Sequence, residues 1–211
     1  MSASSSAKIA LITRVLGTKY GRIDWWRGPP EEVMIGAILT QQTRWEHVNK
    51  ALMELKRRGL CSLRAIGEVD SVTIESAIRC TGFYRIKAQR LKSLASHVNS
   101  VYGDTNIMAE KPTHQLRECL MGVHGIGAET ADSILCYAFQ RPCFVIDAYT
   151  ERICGCIGIT EKRQALKTLF EKVLPGDAAV HQQVHAHIVE YAKEFCAKKR
   201  CGECTLASLN G

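Results

Sequence analysis

Apolar residues recur at spacings of three and four along most of the chain: Ile9, Leu11, Ile12, Val15 and Leu16, then Val33, Ile35, Ile38 and Leu39, then Val48, Leu52 and Leu55. That period puts them on one face of an amphipathic α-helix. Further helices are predicted over Leu63 to Ile66, Ser71 to Arg79, Ile86 to Tyr102, Thr113 to Met121, Glu129 to Phe139, Asp147 to Ile157, Lys162 to Val173 and Ala178 to Glu194. No alternating strand pair joined by a hairpin turn interrupts the series, so the predicted fold class is all-α. Breaks fall at Gly28-Pro29-Pro30, Gly82, Lys111-Pro112, Gly122 to Gly127, Arg141-Pro142 and Pro175-Gly176. There is no repeat and no linker-like segment, so two domains, if present, should pack tightly.

With 211 residues and 46% apolar content, the chain can bury a real core in one large or two small domains. Its longest apolar runs, Met34 to Leu39 and Ser133 to Phe139, fall far short of the roughly 20 residues that cross a bilayer. No membrane partner is expected. The start, Met1-Ser2-Ala3-Ser4-Ser5-Ser6, lacks a basic region followed by an apolar stretch and does not read as a secretory signal, which points to the cytoplasm. Of the ten cysteines, Cys119, Cys136 and Cys154 sit in apolar helical patterns, where free thiols behave as small hydrophobes. The net charge of +7 favours a polyanionic partner, because neutralising phosphates releases condensed counterions. By itself, net charge speaks first to solubility and non-specific binding.

The most informative segment is Val123-His124-Gly125-Ile126-Gly127-Ala128-Glu129-Thr130-Ala131-Asp132. A helix bearing Leu116, Leu120 and Met121 ends at Gly122, and a Gly-Ile-Gly turn opens the next. The two glycines allow positive φ and close approach of backbone to a ligand. Amides at the following helix start are suited to a phosphate. The same turn also serves as an ordinary tight helix–helix connection that needs no ligand. One helix later comes Cys143-Phe144-Val145-Ile146-Asp147-Ala148-Tyr149-Thr150-Glu151-Arg152-Ile153. An aspartate at a helix start is a natural N-cap. Beside a phosphate-binding hairpin it would also be placed to stabilise a sugar cation or to activate a water.

Together, Gly125-Ile126-Gly127 with Thr130-Ala131, and Val145-Ile146-Asp147-Ala148-Tyr149 with Arg152, resemble the helix-hairpin-helix and catalytic aspartate segment of the endonuclease III superfamily of DNA glycosylases. Gly36 to Thr43 resembles the family helix whose end reaches DNA, Gly82 to Ala88 its Gly-x-x-x-x-Lys-Ala helix start, and Cys196 to Cys204 part of its cluster loop. The resemblance spans roughly residues 20 to 204 and is nearest in pattern to the endonuclease III-like 3-methyladenine DNA glycosylases. It implies two helical lobes with DNA and the active site in the cleft between them: residues 1–29 with 130–211 as a terminal helical domain carrying the cysteine loop, and 30–129 as a helical barrel ending in the hairpin.

The resemblance makes Asp147 the catalytic carboxylate. Bifunctional members carry a lysine where this chain has Glu129, and a carboxylate cannot form their imine. Glu129 also suits the helix dipole as a first-turn residue, and in the 3-methyladenine relatives a glutamate at this position faces the base. The chain's three tryptophans, Trp25, Trp26 and Trp45, match those relatives' aromatic pocket. Core packing is the alternative for each. An indole face attracts the positive charge of an N-methylated purine, which makes alkylated adenine the leading substrate. Gln41, in Thr40-Gln41-Gln42-Thr43, matches the residue that fills the gap left by a flipped base, or else is a solvated helix end. With Gln42, Gly125, Ile126 and Gly127 it forms the expected DNA-binding set, to which Arg44, Lys87, Arg85 and Arg90 would add phosphate contacts.

Cys196, Cys201 and Cys204 are separated by four and then two residues. The family's 4Fe-4S loop has six and two, with a fourth cysteine six positions later, where this chain has Asn210. Three thiolates do not complete a four-cysteine site, so a cluster needs a ligand from elsewhere. The implied function is base excision repair by a monomeric, cytoplasmic, nucleoid-associated monofunctional glycosylase acting on double-stranded DNA with a damaged base. The alternatives are a mismatch uracil or thymine glycosylase, a bifunctional glycosylase/AP lyase of endonuclease III type, and a non-catalytic DNA-binding module.

Overall fold

The computed structural model describes residues 4–26 and 28–206, and the protein is all-α, with no strand among them. It divides into two compact units, one comprising the described residues of Met1–Trp25 and Gln140–Gly211, the other Trp26–Phe139.

In the second unit, α2 (Pro30–Leu39) is the central element, and every residue from Val33 to Leu39 is buried. A helix apolar on all sides must be surrounded. Around it pack α3 (Trp45–Arg57), α6 (Tyr84–Val101) and a π-helical turn, Ile134–Ala138. Pro30 at its first position and Glu31 and Glu32 in its first turn suit a helix start. The short helices α4 (Leu63–Glu68) and α5 (Ser71–Ile78) lie against α6. A further helix, α7 (Thr105–Ala109), was not among those predicted. The hairpin consists of α8 (Thr113–Met121) and α9 (Ala128–Ser133), clamped by the Arg117–Asp132 ion pair at 2.7 Å. The predicted helix over Glu129 to Phe139 is α-helical only to Ser133, and its π turn packs on α2, so these residues belong to the second unit.

The carboxyl end of α2 is closed by a buried lysine. Lys87, 1% exposed, donates to the Leu39 carbonyl (2.9 Å), the Thr81 carbonyl (3.0 Å) and the Thr43 hydroxyl. Its cation completes orphan carbonyls at a helix end, where positive charge is favoured. Burial, with the nearby Arg90 charge, lowers its pKa to about 8. Lys87 is therefore not the expected phosphate contact; its ammonium is spent inside the unit.

In the first unit, α1 (Ser5–Tyr20), α10 (Ala148–Cys156), α11 (Arg163–Val173) and α12 (Ala178–Tyr191) enclose a core that includes Ile9, Ile12, Leu16, Phe144, Phe170, Ile188 and Tyr191. Each such side chain contributes roughly 1.5–3 kcal/mol by leaving water. Lys8 crosses from α1 to the Ile157 carbonyl at the end of α10 (2.7 Å).

Lys87→Met should lower stability by about 3 kcal/mol, since two buried carbonyls lose their donor. Urea denaturation checks this; an unchanged midpoint with weakened DNA binding would restore Lys87 to the DNA surface.

Candidate active site and nucleic-acid interface

In the first unit, the non-helical run Cys143-Phe144-Val145-Ile146 leads into Asp147 and is buried throughout. Its backbone is fixed from α11: the Phe144 N–H donates to Glu171 (2.9 Å), Lys167 donates to the Phe144 carbonyl (3.2 Å), and the Phe144 and Phe170 rings stack at 4.1 Å. Asp147 is the N-cap of α10, and its Oδ1 accepts from Thr150 N (2.7 Å) and Thr150 Oγ1 (2.8 Å). Its Oδ2 lies 3.5 Å from His185 Nε2 on α12. Burial pushes the Asp147 carboxyl up, but His185 and the Thr150 bonds outweigh it and hold the group below its ordinary value. The carboxylate is thus ionised, and at 16% side-chain exposure it can still be reached. Trp25 lies with its ring 5.4 Å from that of His185, and Lys193 sits 5.7 Å over the Trp25 ring.

In the second unit, the two hairpin glycines do different work. Gly125 has φ +86°, and a Cβ there would meet Arg90 Cγ at 2.3 Å. Gly127 has φ −90° and caps α9, and a Cβ there would meet no atom within 4 Å. Both glycines allow positive φ, and Gly125 alone uses it. Ile126 between them is buried. Gln41 is tied to this turn: its Nε2 donates to the Gly125 carbonyl and to Thr130 Oγ1, both at 3.0 Å, and its Oε1 accepts from Arg90. Its amide is committed to holding the hairpin, which argues against gap filling. Gln42, exposed and with φ +55°, is the glutamine that points away. Arg90 is likewise occupied, and Arg85 pairs with Glu75 at 3.8 Å, whereas Arg44 is exposed. Glu129 is exposed in the first turn of α9.

Trp26 packs on α2, its Cζ2 only 2.8 Å from where a Cβ at Gly36 would lie, with Trp45 at 5.5 Å and Tyr137 at 5.4 Å. Its φ of +46° costs of order 1–3 kcal/mol for a bulky residue. Its Nε1 is buried without a partner among the described residues. Tyr137 and His185 were not singled out in the sequence. A His pair one turn apart on α12, His181 and His185, was the available signal, but periodicity alone does not say what a histidine faces.

Among the described residues, no three His, Cys, Asp or Glu side chains converge to hold a metal, and Asn210 lies outside them. The Cys204 thiol hydrogen-bonds the Tyr191 hydroxyl (3.3 Å), which also meets Thr205 Oγ1 (3.0 Å) and Leu206 N (3.2 Å). Burial, with Cys156, Cys204 and Cys201 as neighbouring thiols, pushes the Cys196 thiol up. No helix among these residues is long and apolar enough to cross a membrane.

A family model for HhH-GPD superfamily base excision DNA repair proteins matches residues 35–175. A Methanocaldococcus jannaschii protein, named provisionally as a DNA repair glycosylase, is 41% identical over 202 residues, 92% of either chain. Endonuclease III of Thermotoga maritima is 27% identical over 184 residues, 84% of this chain and 80% of that one. Among solved structures, the H. pylori 3-methyladenine DNA glycosylase bound to 1,N6-ethenoadenine superposes with a TM-score of 0.79 at 28% identity, covering 91% of this chain and 98% of that one. An endonuclease III–DNA complex gives 0.79 at 21% identity, over 98% and 95% of the two chains, which speaks to the fold alone.

Followed by carboxyl ¹³C shift in the folded protein, Asp147 should titrate below the ordinary aspartate value of about 3.9, so it stays ionised down to that pH. A midpoint at or above that value would contradict the hydrogen-bonding account.

Proposed function

The chain belongs to the HhH-GPD superfamily of base excision DNA repair proteins, and from that premise we propose that it is a monofunctional DNA glycosylase whose substrate is an alkylated purine such as 3-methyladenine in double-stranded DNA. The observation that carries this reading is Asp147: a carboxylate held ionised at a helix start, with both oxygens accounted for and a path to solvent.

In this reading the flipped nucleotide loses its base as the C1′–N bond breaks. The bonding pair goes to the departing ring and neutralises its alkylation charge. Asp147 stabilises the positive charge that develops on the sugar, and a water adds at C1′ and yields its proton to the carboxylate. Glu129 stands where a nucleophilic amine would be needed for strand cleavage, so the product is an unbroken strand with an abasic site. Support for a cationic purine comes from the aromatic group of the second unit, Trp26 with Trp45 and Tyr137. The relative of known structure at 28% identity is a 3-methyladenine glycosylase. Gly127, with open space at its α-carbon, and exposed Gln42 and Arg44 are assigned to DNA.

Asp147→Asn keeps an N-cap side chain and should abolish base release while leaving folding and gel-shift affinity nearly intact. Equal loss of both would remove the catalytic assignment. Gly125→Ala should destabilise the fold by more than about 1 kcal/mol because of its positive φ. Gly127→Ala should leave thermal stability near wild type and weaken DNA binding. If the two variants behave alike, the division of labour in the hairpin is wrong.

A further inference from the structure

Three histidines of α12 are buried: His181, His185 and His187. Two of them meet main-chain carbonyls, His181 Nε2 at Pro175 O (3.0 Å) and His187 Nε2 at Gly21 O (2.6 Å). These tie down the two ends of the helix's surroundings and need no further role. His185 differs, because its Nε2 faces the Asp147 carboxylate at 3.5 Å. Burying an imidazole is costly unless its polar atoms are used, and a leucine would fill this helix face more cheaply.

The ring is also held in place. Trp25 lies against it at 5.4 Å with a 42° tilt, and Phe144, three residues before Asp147, lies at 6.4 Å nearly perpendicular. The imidazole thus joins an aromatic of the expected base pocket to the carboxylate. Resting on the reading of Asp147 given above, we propose that His185 is the positioning residue of Asp147: its Nε2–H donates to Oδ2 while Thr150 holds Oδ1, so the carboxylate is oriented before DNA arrives. At 3.5 Å the imidazole is a loose polar contact that sets the direction of Oδ2 beside the two shorter bonds that hold Oδ1.

Other charges near the pair are already engaged. Lys193, over the Trp25 ring, pairs with Glu190 at 2.8 Å, and Glu151 on α10 pairs with Arg163 at 2.7 Å. Near His181, Lys167 pairs with Glu171 at 2.5 Å. Of the titratable side chains on α12, His185 is the one with a ring nitrogen against the Asp147 carboxylate.

The test compares His185→Phe, which keeps an aromatic ring beside Trp25 but no donor, with His185→Gln, which restores one. Single-turnover base release from duplex DNA treated with methyl methanesulfonate should fall on the order of 10–100-fold in His185→Phe, as for a slightly misplaced catalytic group. The Asp147 ¹³C midpoint should move up towards its ordinary range, and DNA affinity should stay near wild type. His185→Gln should recover much of the rate and the low midpoint. If His185→Phe does not fold, His185→Met takes its place. A donor-free variant with wild-type rate and midpoint overturns the inference. Asp147→Asn in the same assay separates the two claims: release by that variant refutes the catalytic reading itself, whereas a dead Asp147→Asn beside an unaffected His185→Phe refutes only the role of His185.

Discussion

Asp147 has to remain charged while largely withdrawn from water, and much of the first unit follows from that constraint. An uncompensated buried carboxylate would take up a proton instead. Here the helix start, two bonds from Thr150 and the His185 imidazole supply the compensation. The residues before it are held as firmly. Glu171 and Lys167 fix the Phe144 backbone, and Phe170 fixes its ring. What looks like ordinary core packing around α11 and α12 therefore sets the position of one carboxylate. Positional accuracy of that kind is what the proposed electrostatic role of Asp147 requires.

The second unit solves a different problem, which is to present a backbone turn rigidly. Gln41 and Arg90 grip Gly125, and Lys87 closes the end of α2 a few residues away. Glycine at position 125 is needed by the protein, while glycine at 127 is needed by nothing inside it. The polar side chains near this turn are thus divided between those that build it, Gln41 and Arg90, and those that stay exposed, Gln42 and Arg44.

Much of this was legible in the sequence. Helical periodicity gave the all-α class, and glycine spacing gave the hairpin because few other arrangements of Gly-Ile-Gly between apolar helices are sterically sensible. Asp147 as an N-cap was readable from its place before an apolar helix. What the sequence left hidden turns on side-chain direction. Gln41 and Gln42 are identical neighbours, and only the left-handed backbone of Gln42 separates them. Lys87 has a lysine's spacing for the surface, yet its ammonium meets carbonyls from Leu39 and Thr81. The π turn at Ile134–Ala138 hides in a continuous apolar run, and α7 is too short for a period to show. His185 meets Asp147 only through the packing of α12 on α10, which no local pattern encodes.

The most direct measurement of the central claim is product analysis on methylated, uracil-containing and thymine-glycol duplexes, scoring free base and strand nicks separately with borohydride present. The account predicts release of methylated purine, an intact strand carrying an abasic site, and no trapped adduct. Strand nicking with a borohydride-trapped enzyme–DNA adduct would contradict it.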